Sequence, residues 1–320
     1  MMEPTPDHPL VTFALFAYNQ EQYIREAVEG AFSQTYEPLE IILSDDCSSD
    51  QTYLIMQEMA AAYRGPHQVR VTRNEKNWGL AVHVNRIVQS ACGEILVIAA
   101  GDDVSFPDRT TVSVNLLNDN PNATAVLLSA DVINNHGKII GERTCKIRNG
   151  TNTTQTIDDL LSWKHITFGA TRAFRREIFM KFGPLNHCCP TEDTPILLRS
   201  LIVGTNILSE RKAILYRLHE NNLSGLASLR KINIPAIYEQ YQKDLKSAES
   251  LGLVTKKLAF QIRRWIVKDE KIRIIKIKLN SGESVSLRDM FSLIIHPSLN
   301  SRDKIKIIAR RLVFSKVIQS

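Results

Sequence analysis

The sequence predicts an α/β protein built on a Rossmann-like, mostly parallel sheet, followed by a helical, basic C-terminal extension. Three observations carry this. Short apolar runs alternate with segments of helical period, the pattern of βαβ units. The acidic clusters fall where the apolar runs end. The charge is split: residues 1–225 hold 20 Lys+Arg against 26 Asp+Glu, and residues 226–320 hold 20 against 8, so a net of +6 combines a body at −6 with a tail at +12.

The elements follow in order. Residues 10–17 form an apolar run with β-branched and aromatic members, too short for a helix, and predict a buried strand. Residues 21–34 place Tyr23, Ile24, Ala27, Val28, Ala31 and Phe32 on one helical face. Residues 39–43 predict a second strand, ending in the cluster from Ser44 to Asp50, and residues 51–63 a helix. Strands at 68–72, 94–100 and 123–129 alternate with helices at 80–90 and after Pro107. Beyond residue 130 the pattern is mixed. Asn134 to Gly137 read as a hairpin turn, 143–156 as a mobile loop, 166–174 as a strand and 175–182 as a short helix. A helix over 194–203, a strand over 213–219 and helices from about 228 complete the chain.

Composition excludes several classes. With 43% hydrophobic and 23% charged residues, the chain is globular rather than disordered or collagenous. The five cysteines show no metal-binding or redox spacing and are expected to be reduced. The first residues lack a basic segment followed by an apolar core, so no signal peptide is expected, and no run reaches the ~18 apolar residues of a spanning helix. A cytoplasmic protein is expected, free or held on the inner face of the plasma membrane. The sequons at Asn122, Asn149, Asn152 and Asn222 then read as chance matches.

Parallel sheets bind ligands at the carboxyl ends of their strands. The sharpest polar clusters sit there: Tyr18-Asn19, Asp45-Asp46 and Asp102-Asp103. Adjacent carboxylates repel unless something positive lies between them, and a divalent cation shared with substrate phosphates is a common resolution. The bland reading is helix capping, which suits Asp50. It suits Asp102-Asp103 less, because two acids follow six apolar residues.

Six segments, in order, resemble glycosyltransferase family 2, of the GT-A nucleotide-diphospho-sugar transferase fold. The run from Val11 to Tyr18-Asn19 is similar to that family's opening strand. Gln34-Thr35-Tyr36 followed by 39–52, with Asp45-Asp46 and Asp50, resembles its second motif. Asn77-Trp78-Gly79-Leu80 with Asn85, and Gly93-Glu94 leading to Asp102-Asp103, resemble the third and fourth. Glu192-Asp193 with Leu197 and Arg199, then Tyr216-Arg217-Leu218-His219 with Asn222 and Ser224, resemble the last two. The resemblance covers about residues 10–225 and implies a GT-A domain over 1–225, with 226–320 as the basic, mainly helical region.

The resemblance implies roles. Tyr18, Asn19, Asp45, Asn77, Gly79 and Asp102 would bind the nucleotide sugar, with Asp45 at the base. Asp102, Asp103 and His219 would hold a divalent cation, Mn²⁺ or Mg²⁺. Asp193 would be the general base of an inverting transfer; its bland reading is a cap before Pro195. One departure stands out: Ala100 occupies a position where the family motif carries an acid, and the division of ribose and metal contacts between Asp102 and Asp103 stays open. The expected function is hexosyl or N-acetylhexosaminyl transfer from a nucleotide-diphosphate sugar, UDP-linked by preference, to a glycan or polyprenyl-linked acceptor in cell-surface polysaccharide synthesis. Ala100 also permits a non-catalytic nucleotide-sugar-binding or scaffold protein. A nucleotidyltransferase would carry a glycine-rich loop after the first strand, and Ala17-Tyr18-Asn19-Gln20 is not one.

Other features have plain readings. His165 and His187 read as packing or loop residues, Trp78 as a core cover, and His83 as part of a helix face. Arg172, Arg175 and Arg176 read as solvated surface or as a diphosphate-lipid contact. In the tail, 254–278 and 302–316 interleave Lys and Arg with large apolar residues. That pattern suits a membrane surface, and equally a subdomain packed on the body or on another subunit. No nucleic-acid-binding motif accompanies the charge, and nucleic acid is not an expected partner.

Overall fold

The computed structural model describes residues 3–5, 8–145, 152–220, 222, 232–281 and 283–297. The segment 302–316, Ser224, Asn149 and the boundary at 225 lie outside them.

The first half alternates as the pattern predicts: β1 (Val11–Ala17), α1 (Ile24–Phe32), β2 (Leu39–Asp45), α2 (Thr52–Ala62), β3 (Gln68–Arg73), α3 (Leu80–Ser90) and β4 (Ile95–Ala100). A two-residue β5 (Val104–Ser105), α4 (Arg109–Asn118) and the eleven-residue β6 (Ala123–Ile133) follow. Then come β7 (Ile139–Arg143), β8 (Asn152–Gln155), α5 (Ile157–Leu161), β9 (Ala173–Arg175), α6 (Glu177–Phe182), α7 (Asp193–Val203) and β10 (Thr205–Arg217). Three helices close the described chain: α8 (Ile234–Ser250), α9 (Lys256–Asn280) and α10 (Leu287–Ile294).

The sheet has ten strands, with the path β3-β2-β1-β4-β9-β6-β10-β5; β7 is added on β6 and β8 on β10. The four strands β3, β2, β1 and β4 are mutually parallel, and β6 runs parallel to β10. The short β9 joins the two groups by antiparallel pairing to both β4 and β6.

β1 is buried at all seven positions because both faces of the sheet are covered. Strand alternation sends Phe13 and Leu15 into the cluster with Ile24, Val28 and Leu117, under α1 and α4. It sends Ala14 and Phe16 into the opposite cluster, with Val84, Ile196 and Tyr241. That second cluster also contains Ile237 from α8 and Trp265 from α9, so the C-terminal helices share the core of the sheet. A fully buried ion pair fixes the join: Arg199 Nε and Nη2 donate to the two oxygens of Asp244 at 2.9 and 2.8 Å.

Three expectations need correction. The strand predicted over 166–174 is mostly a loop with a single 3-10 turn at Gly169–Thr171; only Ala173–Arg175 pairs. The apolar residues there cover the core without joining the ladder. Within 143–156, Asn152–Gln155 is a strand on β10, and Thr156 caps α5, so the described part of that stretch is ordered by pairing. Arg172, Arg175 and Arg176 are not a solvated cluster. Arg172 is buried, and Arg175 and Arg176 donate to the carbonyls of Ala123, Leu117 and Ala91.

Candidate active site

The carboxyl ends of β1, β2, β4 and β10 bring together residues far apart in sequence. After β4 the chain turns at Gly101, where a Cβ would lie 2.4 Å from Gln20 Oε1 and 3.0 Å from the Ala17 side chain. The absence of a side chain there lets Asp102 and Asp103 follow directly beneath the end of β1.

Asp102 points to the rim. Its Oδ2 lies 2.8 Å from His219 Nε2, and Asn222 Nδ2 approaches the same oxygen at 3.4 Å. Asn222 also accepts the His219 backbone N–H at 2.6 Å and donates to the Arg217 carbonyl at 3.0 Å. The imidazole packs against Tyr23, ring centroids 5.0 Å apart. A buried side chain this committed makes Asn222 a poor glycan acceptor, in keeping with a chance sequon.

Asp103 points inward. Its Oδ1 accepts the Arg217 backbone N–H at 2.9 Å, and its Oδ2 is buried with no hydrogen-bond partner. Burial holds its carboxyl well above the usual range, the Asp102 charge adds to this, and Arg217 and Arg109 oppose it. Arg217 is itself only 1% exposed. It donates to the Asp102 carbonyl at 3.0 Å and to Glu26 Oε2 at 2.9 Å, and lies over the Tyr23 ring at 4.7 Å. The two acids therefore face opposite ways: Asp103 anchors the strand end, and Asp102 is left at the rim beside His219.

Asp45 and Asp46 behave differently. Asp45 is fully buried; it accepts from the Ser48 backbone at 2.9 Å and from the Ser48 hydroxyl, and lies 3.3 Å from Arg73 Nε. Arg73 also sits 4.9 Å from the Tyr53 ring. Asp46 accepts from Asn74 Nδ2 at 2.7 Å, Trp78 N at 3.1 Å and Gly79 N at 2.9 Å, so it folds the 74–79 loop. Asn77 Oδ1 accepts the Gly79 N–H at 3.0 Å, and Gly79 has φ +79°, which favours glycine. Asn19, also left-handed with φ 51°, ties β1 to β2 by accepting the Ser49 N–H at 2.9 Å. Tyr18 beside it is 46% exposed. Asp50 accepts from the Thr52 and Glu21 backbones, as a cap should.

Asp193 opens α7 in a separate cluster. Thr191 Oγ1 donates to its Oδ1 at 2.6 Å, and Thr167 Oγ1 lies 3.5 Å from its Oδ2. Buried Arg172 donates to the Asp193 carbonyl at 2.5 Å and to Thr167 Oγ1 at 2.9 Å. Gly169 approaches so closely that a Cβ would lie 2.9 Å from Asp193 Cβ. Burial, with the Asp193 charge adding and Arg172 opposing, pushes the Glu192 carboxyl up to about 7. The Arg172 carbonyl accepts from Ile98 N at 3.0 Å, so this cluster is pinned to β4. His83 is buried in α3, 2.6 Å from Ser44 Oγ, and burial lowers its pKa to about 4.

Sequence reasoning missed the supports: Glu26 and Tyr23 from α1, and Thr167, Gly169 and Arg172 around Asp193. Only Arg172 carried a signal, as a basic residue close to a motif.

Among the described residues no group of three or more His, Cys, Asp or Glu side chains converges as a metal cage. Asp102 and His219 offer one carboxylate and one imidazole. That pair fits a cation whose remaining ligands are substrate phosphates and water.

Sheet order and the strand-end site define the class: a GT-A fold. The chain belongs to Glycosyl transferase family 2, whose model matches residues 12–183; Asp193 and His219 lie beyond the match. EpsE of Bacillus subtilis (strain 168), which carries a glycosyltransferase name, is 35% identical over 34% of this chain and 38% of its own. An uncharacterized glycosyltransferase of Rickettsia felis is 24% identical over 77% of this chain and 40% of its own. The matches thus take in about two fifths of these relatives' length. Residues 1–349 of S. aureus TarS share the fold with a TM-score of 0.60 at 16% identity, over 89% of this chain and 77% of that one. The mannosyltransferase PcManGT of Pyrobaculum calidifontis, solved with GDP-Man and Mn²⁺, does so at 0.57 and 16%, over 89% and 79%. No helix among the described residues is long and apolar enough to cross a membrane.

Proposed function

We propose that this chain transfers a hexosyl or N-acetylhexosaminyl group, with inversion, from a UDP-linked sugar to a hydroxyl of a glycan or polyprenyl-linked acceptor in cell-surface polysaccharide synthesis. The observation that carries the reading is the meeting of Asp102, from the end of β4, with His219, beyond the end of β10, at 2.8 Å. The nucleoside would lie along the ends of β1 and β2, with Tyr18 as an exposed platform and the Asp45–Arg73 pair at the base edge. Asn19, Asn77 and Gly79 shape the loops that border it. Asp102 and His219 would hold Mn²⁺ or Mg²⁺ against the diphosphate, and Asp103 keeps Asp102 in place from below. The cation's contribution is charge neutralisation on the leaving group.

Asp193 would accept the proton of the acceptor hydroxyl as its oxygen attacks the anomeric carbon. The bond from that carbon to the diphosphate breaks, and the electron pair leaves with the nucleotide. Thr191 and Thr167 meet the carboxylate, and Arg172 holds the Asp193 carbonyl and Thr167 in place. The acceptor would be met at the inner face of the plasma membrane. The test is product formation across a panel of nucleotide sugars with Mn²⁺. Asp193→Asn is expected to lose roughly 10²–10⁴ in kcat while keeping donor affinity; full transfer by that variant would remove Asp193 as the base.

A further inference from the structure

Helix α9 has two faces. On the inner face, Ile262, Trp265 and Ile266 are buried in the core of the body. Asp269 on that face accepts from Trp163 Nε1 at 3.2 Å, Tyr238 OH at 2.5 Å and Arg273 Nε at 3.0 Å. His165 lies edge-on to Trp265, centroids 6.1 Å apart. Trp163 and His165 lead into Thr167 and Gly169, which touch Asp193. The inner face thus supports the wall beside Asp193.

The outer face is a stripe. Phe260, Arg264, Val267, Lys271, Ile274 and Lys278 recur at steps of three and four, and all are exposed. They run along about 27 Å of helix. Phe260 and Val267 are 58% and 59% exposed. On α10 the stripe continues through Leu287 and Phe291 to the C-cap Ile295, at 71%, 65% and 61% exposed. Every exposed charged residue of α9 is basic. Arg263 pairs with Glu249, and Lys271 with Asp289. Lys256, Lys257, Arg264, Lys268 and Lys278 form no ion pair among the described residues. Between α9 and α10 lies a groove of about 830 Å³; its apolar lining includes Val267, Ile274 and Val285, and Lys271, Lys278, Glu270 and Asp289 share it.

We infer that the outer face of α9 and α10 docks on an anionic phospholipid surface. The helices would lie in the headgroup plane, with Phe260, Val267, Phe291 and Ile295 inserted and the lysines on the phosphates. Charge chooses this occupant. The centre of a protein interface is depleted of lysine, whereas here a cation follows an apolar residue at every turn, the composition of a membrane-surface helix. Basic residues near such a surface each add about fivefold to binding. The inference does not depend on glycosyl transfer. If both hold, the helix that docks is the one that supports the wall beside Asp193, and a lipid-borne acceptor would meet the site there.

The experiment is co-sedimentation of the full chain with vesicles of phosphatidylglycerol and phosphatidylcholine, against phosphatidylcholine alone, and at high salt. Binding is expected on the anionic vesicles, at least tenfold weaker on the neutral ones and in 0.5 M salt. Val267→Ser with Phe291→Ser, and separately Lys268→Glu with Lys278→Glu, should each weaken it at least tenfold, with UDP binding in Mn²⁺ unchanged. Equal binding to both vesicles overturns the inference, as does wild-type binding by both double variants. So does a dimer that the variants dissociate while no vesicle binds, since a second copy would then cover the face.

Discussion

The two aspartate pairs at the ends of β2 and β4 look alike in sequence and have different fates. Asp45 and Asp46 are both buried, and their oxygens are taken by serine, arginine and backbone donors of the neighbouring loops. Asp102 and Asp103 split. One meets His219 at the rim; the other is buried with an oxygen left unpartnered. A doubled acid at a strand end therefore marks a place where the backbone needs anchoring, and a candidate for chemistry where one carboxylate is left to meet a second titratable side chain, as Asp102 meets His219.

That contrast can be broken most severely at Arg217. Arg217→Met keeps the backbone N–H that Asp103 accepts, but it leaves the Asp102 carbonyl and Glu26 without their donor and removes the buried charge beside Asp103, and the loss should be about 3–5 kcal/mol, read as the shift in the urea midpoint. A loss below about 1 kcal/mol would mean that the Arg217 guanidinium does not hold the end of β4. Next, Asp102→Asn should cost roughly 10²–10³ in turnover, with the melting temperature within a few degrees of wild type. Asp46→Ala should do the reverse. It takes their acceptor from Asn74 Nδ2 and Trp78 N and leaves Gly79 N only its bond to Asn77, for about 2–3 kcal/mol of stability, and touches turnover only through the loop. If the two variants changed places, the division between anchoring and chemistry would be wrong.

The smallest effect belongs to Glu192. Its carboxyl is raised from 4.5 to about 7 in the folded state, so the folded chain holds this proton to higher pH than the unfolded chain does. The stability it contributes is full below about pH 4.5 and lost as pH rises through about 7. Glu192→Gln should flatten that part of the stability–pH curve by about 1–2 kcal/mol. His83, lowered from 6.5 to about 4, acts in the opposite sense: its contribution is present above pH 6.5 and fades as pH falls toward 4. His83 is common to both chains, so the comparison of Glu192→Gln with wild type is best read between pH 4.5 and 7, where the Glu192 contribution falls.

Much of the fold was legible because β1 to β4 and their helices are local repeats of one unit, each with its own period. The parts that were not legible depend on distant partners. β5 is two residues long and exists only because β10 pairs with it. The stretch 166–174 has strand composition, yet its residues cover the core while Thr167 and Gly169 serve Asp193. The juxtaposition of Asp102 and His219 spans 117 residues and has no local signal. Only the order of the motifs pointed to it. Nothing local distinguishes Asp102 from Asp103 either; the Asp103 carboxylate is met by the Arg217 backbone N–H and the Asp102 carboxylate by His219 and Asn222, all far away in sequence.

The proposal places Asp102 and His219 at the cation and diphosphate end of a donor site. Calorimetric titration of UDP into the wild-type chain, with Mn²⁺ and then with chelator, tests it directly, with Asp102→Ala and His219→Ala in parallel. At least tenfold tighter binding with Mn²⁺ is expected in the wild type, and loss of that difference in both variants. Equal affinity with and without the cation, or a difference that survives Asp102→Ala, would contradict it.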